Sequence, residues 1–341
     1  MIKTCRKYWS REIADKIIQV KDVRFINPQY EIQTDFTKED FTKKLVEEFK
    51  VSQESVMAFF DALETMNFYD DQEMTNGELF EKFFPNRPDV TRFLLEPIVY
   101  ANGSTLEDPA ITYGIVFSNF MSKGVYIFQG GTDLLIDMMK EELLSNGVDI
   151  KYHSLVEEII IEDGETKGVV VNGQKVVSKS VLSNANLIST ILNMAGEEYF
   201  PKEYIEKAKA VKLNTSSCQV FMGIKKGESI PRIGELVFYS DDDKFSSELI
   251  LSPSVGSQTF SVYYPEIRPQ RPDRYAIVSS SNARYDDWKN LSDEEYKKQK
   301  DFVIERALAT LEKLIPGVRD KIDFIDCSTP LTVEKHTHHR K

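Results

Sequence analysis

Few residues in this chain have types and spacings that could do chemistry. Gly130 and Gly131 stand directly before a stretch with apolar residues at helical spacing. Glycines at the mouth of a helix bare its first amides, which attract anions; a tight turn is the plainer reading. The histidines are His153, His336, His338 and His339, three of them in the last six residues. The His-x-His-His run has metal-ligand chemistry, but the expectation is a tail with no metal bound. His153 reads as a loop residue after a strand. Asp241, Asp242 and Asp243 lack the ligand spacing of a calcium loop and read as a solvated turn. Cys5, Cys218 and Cys327 are too scattered for a disulfide framework or a zinc site. The dense phenylalanines between 59 and 93 either line an apolar ligand pocket or form an ordinary helical core. The chain has no GxGxxG, P-loop, HExxH or GxSxG motif.

Stepping outward along the chain, 10–20 reads as a helix capped by Ser10, with Ile13, Ile17 and Ile18 on one face. Residues 23–32 read as one strand, with Pro28 marking an edge or bulge. Thr37, Ser52 and Thr75 each cap a helix whose apolar residues recur three and four apart. Further helices are expected over 89–100 and from Asp108 through Phe120, ending near Gly124. A short strand then leads to Gly131, followed by a helix over 132–145 and a strand over 148–152. Three strands follow, over 156–162, 167–171 and 175–182. Asp163-Gly164 and Asn172-Gly173 join them, dipeptides that favour hairpin turns. Helices are expected over 188–195 and 202–211, and strands over 217–224, 235–239, 248–251, 259–264 and 275–281. Ser292 with Glu295 opens a long helix to 315, and 322–326 is a last strand.

Composition narrows the partners. Of 341 residues 41% are hydrophobic, enough for a large core, and the net charge is −12. An acidic chain with no basic face excludes nucleic acid as a main ligand. No run approaches the roughly 20 apolar residues of a membrane span, and the N-terminus lacks a signal-peptide core. Cysteine usage points to a reducing, cytoplasmic setting, with room for peripheral membrane contact.

The segment from Val125 through Leu135 and on to Ala185 resembles the FAD-dependent oxidoreductases typified by phytoene desaturase and carotenoid isomerase. That family carries a Y-P-x-G-G loop before a helix, a strand, a V-E-E-I segment leading a meander, and V-V-S-N-A. Here these elements read Tyr126 to Gly131, Val156-Glu-Glu-Ile159 and Val181-Leu-Ser-Asn-Ala185. Weaker matches are Thr75 to Phe84, Leu314 to Val318 and Thr329 to Thr332.

The resemblance implies an α/β fold with α+β character: part of a Rossmann-like FAD-binding domain with its β-meander, plus a substrate domain of mixed sheet and helices. It places 1–123 and 188–325 in the substrate domain, 124–187 in the FAD domain, and 326–341 on the return to it. FAD is the implied cofactor. Val156 would sit by the adenine, and Asn184 and Ala185 by the ribose and pyrophosphate. Gly130 and Gly131 would bring the backbone close to the flavin, and Tyr126, Ile127 and Phe128 would face the substrate. The implied activity is desaturation, isomerisation or saturation of a hydrophobic polyene, isoprenoid or lipid, with no catalytic acid or base identified. The alternative is a non-enzymatic member of the fold group that binds an apolar ligand or a prenylated protein, as Rab escort and GDP-dissociation-inhibitor proteins do. The family's opening GxGxxG unit and its closing glycine-rich G-D segment have no counterpart in the sequence. The expectation is therefore the central part of such an enzyme, with weakened FAD affinity, or an inactive truncated product.

Overall fold

A computed structural model describes residues 10–66, 74–211, 215–250 and 256–337. The chain forms two compact units, one of Met1–Glu142 with Thr215–Pro330 and one of Leu143–Asn214 with Leu331–Lys341.

The first unit opens with helix α1 (Arg11–Asp15), capped by Ser10. It is shorter than the sequence suggests. Ile17 and Ile18 leave it for a strand, β1 (Ile17–Gln19), because their β-branched side chains and backbone find a partner further along the chain. Residues 23–34 form a hairpin rather than one strand: β2 (Val23–Asn27) and β3 (Tyr30–Thr34). The turn at Pro28 is closed by Asn27, whose Oδ1 accepts from the amides of Gln29 and Tyr30 at 2.9 and 3.2 Å. The helices α2 (Lys38–Glu47), α3 (Gln53–Thr65) and α4 (Asn76–Phe83) start where their caps predict, with Thr37, Ser52 and Thr75 each accepting a backbone amide. Helices α5 (Pro88–Asn102) and α6 (Ala110–Lys123) follow.

The phenylalanines of this region fill the core. Phe59, Phe80, Phe93 and Phe117 are fully buried, and Phe41 stacks on Phe93 at 4.6 Å between ring centres. Of the two readings of these rings, the packed core is the one observed. Strand β4 (Tyr126–Phe128) and helix α7 (Thr132–Ser145) close this half.

The second unit holds the meander, β5 (Val156–Glu162), β6 (Glu165–Val171) and β7 (Gln174–Val177), in the order β5-β6-β7. Both turn dipeptides have φ near +50° and +75°, the geometry that their residue types suit. One expected strand is absent and another is cut short. Residues 148–152 form no ladder and are largely exposed, and β7 ends at Val177 instead of 182. A helical turn over Leu187–Ser189 runs into a π-helical Thr190–Ala195, followed by α8 (Lys202–Lys209). Ile191, Ile205 and Ala208 make a small core there.

The chain then returns to the first unit. Strands β8 (Ser216–Ile224), β9 (Leu236–Ser240), β10 (Ser257–Tyr263), β11 (Ala276–Ala283) and β12 (Ile322–Ser328) join the hairpin in a seven-stranded mixed sheet. Its order is β12-β8-β11-β10-β9-β2-β3. All pairs are antiparallel except β2 with β9, where Phe25 opposes Phe238 and the rings stack at 4.8 Å. The strand expected at 248–251 is a helix, α9 (Ser247–Ile250), as far as it is described. Helix α10 (Asp293–Leu314) is fixed by a full capping box between Ser292 and Glu295 and buries Val303, Ala307 and Leu311. Helix α11 (Pro330–Thr337) ends the described chain. No described helix is long and apolar enough to cross a membrane.

Candidate functional site

Strand β4 pairs with β1 alone, Ile17 opposite Phe128 and Gln19 opposite Tyr126. The backbone then turns through Gly130 and Gly131 at φ of +103° and +94°. Gly130 donates its amide to the Ile267 carbonyl at 2.7 Å, and its own carbonyl accepts from the Gln270 side chain. Gly131 donates to the Phe128 carbonyl at 3.0 Å, and Gln129 to that of Lys16 at 2.8 Å. The glycine loop is thus stitched to α1 on one side and to the β10–β11 connection on the other.

That packing accounts for the glycines without a ligand. A Cβ on Gly131 would lie 2.5 Å from Asp133 Oδ1 and 3.4 Å from Arg268 Nη2. With the left-handed backbone, Gly131→Ala should destabilise the first unit by about 1–3 kcal/mol. Urea unfolding checks this. An unchanged midpoint would mean that the loop is free to relax.

In front of the loop lies a half-open cleft of about 650 Å³. Tyr126, Phe128, Leu135 and Met139 form one wall, and Ile13 and Ile17 continue it. The sheet supplies the floor. Phe221 and Val278 are register partners on β8 and β11, with Tyr263 of β10 beside them. Alternation along a strand puts successive side chains on opposite faces. On β10, Gln258 reaches Thr310 of α10 at 2.9 Å, so Tyr263, an odd number of residues along, points the other way, into the cleft.

A second cleft of about 450 Å³ adjoins the first and shares Phe221, Tyr263, Arg268 and Val278 with it. Arg271, Arg274 and Phe324 add to its lining. Arg274 pairs with Asp323 at 3.1 Å, whereas Arg268 approaches Asp133 only to 3.7 Å. Arg268 Nε is buried with no hydrogen-bond partner among the described residues. Burial pushes the Tyr263 phenol up, and Arg268 opposes that shift.

The structure brings together five of the expected residues. Tyr126, Ile127, Phe128 and Gly131 line the first cleft, and Gly130 anchors the loop behind them. Val156, Asn184 and Ala185 are in the other unit. Val156 is half-buried at the start of β5, opposite Val171, while Asn184 and Ala185 are exposed in the loop after β7. The three arginines carry no signal in the sequence reading, although three of them at intervals of three, split by prolines, stand out in an acidic chain.

The remaining candidates settle elsewhere. His153 is exposed at φ +52°, and its carbonyl accepts from Asn172 at 3.1 Å. His338 and His339 lie outside the described residues, as does Cys5. Among the described residues no three His, Cys, Asp or Glu side chains converge as metal ligands. The acidic triplet is more than a solvated turn. Asp241 accepts from Lys313 at 2.7 Å, and Asp242 accepts from Ser257 at 3.2 Å while its carbonyl accepts from buried Arg92 at 2.9 Å. Burial pushes the Cys218 and Cys327 thiols up to about 12 and about 11, so neither is poised as a nucleophile.

No family model matches the chain. Prolycopene isomerase from Daucus carota is 24% identical over 263 residues, 76% of this chain and 42% of that protein. A 4,4'-diapophytoene desaturase (4,4'-diapolycopene-forming) of Methylomonas sp. is 26% identical over 119 residues, 35% of this chain and 23% of that protein. The chain spans about half the length of the prolycopene isomerases it matches. Among solved structures, an oxidoreductase from Methanosarcina mazei superposes with a TM-score of 0.59 at 15% identity, covering 91% of this chain and 69% of that one. Relatives and fold thus bear out the resemblance that the motifs carry, to the phytoene desaturase and carotenoid isomerase family of FAD-dependent oxidoreductases.

Proposed function

We propose that the first unit supplies the substrate-side cleft of a flavin-dependent oxidoreductase acting on an apolar polyene, and that the meander unit belongs to the cofactor side. The supporting observation is the apolar cleft in front of Tyr126–Gly131, in a chain whose relatives are named prolycopene isomerases and a diapophytoene desaturase.

The lining suits a flat ring and a hydrocarbon. Aromatic faces of Tyr126, Phe128 and Tyr263 offer stacking surfaces, and Leu135, Met139 and Ile17 supply aliphatic ones. Gly130 and Gly131 would lie beside the flavin, with Val156, Asn184 and Ala185 serving its adenine, ribose and pyrophosphate. FAD, when bound, supplies the redox chemistry. The side chains of this cleft bind and orient. Tyr126 and Phe128 hold a conjugated chain flat, and the aliphatic wall excludes water from it. Among the described lining residues Asp133 is the one carboxyl, and it faces Arg268.

The test is to mix the purified chain with FAD and, separately, with lycopene in detergent micelles, and then to remove free ligand by gel filtration. The expected result is co-elution of lycopene, with flavin absorbance at ~450 nm in the FAD sample. Lycopene retained without flavin would favour the apolar-binder reading. Retention of neither would sink the proposal.

A further inference from the structure

We infer that the second cleft receives an anionic headgroup, so that the ligand is an apolar chain ending in a carboxylate or a phosphate. This rests on the polyene-cleft reading above and narrows its substrate class.

The connection from β10 to β11 is built to gather charge. Successive tight turns run through it: Arg268 N–H donates to Pro265, Arg271 to Arg268 and Arg274 to Arg271, at 3.1, 2.8 and 3.2 Å. A repeat of three residues per turn stacks the side chains three apart along one edge. Arg268, Arg271 and Arg274 accordingly all line the same cleft. Pro269 and Pro272 fix φ at two of the intervening positions. The segment is tethered at its start, where Arg232 pairs with Glu266 at 2.7 Å and lies 4.6 Å over the Tyr264 ring.

Three guanidinium groups line this cleft in a protein of net charge −12, and carboxylates come within ion-pair distance of two of them. Asp323 takes Arg274. Asp133 sits 3.7 Å from Arg268, beyond hydrogen-bond distance. Arg271 is exposed, with no carboxylate within ion-pair distance among the described residues. The buried Arg268 Nε has no acceptor among the described residues. Leaving such a donor unmade is costly, and a ligand oxygen would satisfy it. Guanidinium pairs suit the planar oxygens of carboxylate and phosphate. Tyr263, Phe221 and Val278 floor both clefts, so an apolar tail in the first would deliver its head to the second.

Equilibrium dialysis of the full chain against matched ligands tests this. Retinoic acid and retinol share one polyene and differ in the head; geranylgeranyl monophosphate and geranylgeraniol do the same for phosphate. At least one acidic member should bind about tenfold or more tighter than its alcohol, the worth of a charge-assisted hydrogen bond. That ratio should fall to about one in Arg268→Met, and fall by several-fold in Arg271→Gln, whose exposed side chain is dispensable for folding. Equal binding of acid and alcohol by the unaltered chain would overturn the headgroup while leaving the polyene cleft intact. Binding of neither would overturn both. Inorganic phosphate binding as tightly as the phosphorylated chain would make the occupant a free anion, and the headgroup proposal would fail.

Discussion

Glu96→Ala should cost the fold about 3–5 kcal/mol above pH 7, where the Glu96 carboxyl is ionised, as expected when a buried ion pair loses one partner. Arg92 and Glu96 are each 1% exposed and lie one turn apart on α5. Arg92 donates to Glu96 Oε2 at 3.4 Å, to Gln29 Oε1 at 3.3 Å and to the Asp242 carbonyl at 2.9 Å. Without the carboxylate, a guanidinium stays inside with its charge uncompensated. Urea unfolding should show the loss, and Arg92→Met with Glu96→Leu should recover most of it. A single variant as stable as the parent would show that the pair holds nothing together.

The same carboxyl makes stability depend on pH. Burial pushes Glu96 up from its usual 4.5 to about 7, against the pull of Arg92. Between those values the folded state keeps a proton that the unfolded chain has released. Its contribution is therefore complete below the unfolded pKa and is lost as pH rises through about 7. The unfolding midpoint should fall as pH rises from about 4.5 to about 7, and Glu96→Gln should flatten that fall. A midpoint rising over this interval would contradict the assignment.

Phe93→Ala carries a second large expectation, about 3–5 kcal/mol for a buried aromatic cut to a methyl. Its ring is fully buried against Phe25, Tyr30, Phe41 and Phe49, with centres 4.6–6.1 Å apart. The substitution also separates core from cleft. Under native conditions lycopene retention should be unchanged, because Phe93 lines neither cleft. Loss of the ligand with stability preserved would return these phenylalanines to the role of a pocket.

Local chemistry made much of this fold readable. Thr37, Ser52, Thr75 and Ser292 start helices because a side-chain oxygen near bare amides is a short-range event. The Asp163-Gly164 and Asn172-Gly173 turns are equally local. What escaped was pairing at a distance. Ile17 and Ile18 look helical until Ile127 and Phe128 arrive to take their backbone groups. Residues 148–152 look like a strand and find no ladder among the described residues. At the site, the Tyr126–Gly131 loop was recognisable by its motif. The arginines opposite it were not, since only the turns of the β10–β11 connection bring Arg268, Arg271 and Arg274 to one edge.

The parallel β2–β9 pair has a consequence in time as well as in space. Phe25 is made well before its stacking partner Phe238, which follows more than half of this chain later. Sequence-distant pairing slows folding, because the loop must be ordered before the contact rewards it. A ribosome must therefore deliver β9 before the sheet can close on β2. During that interval the apolar face of the nascent hairpin stays open to other chains.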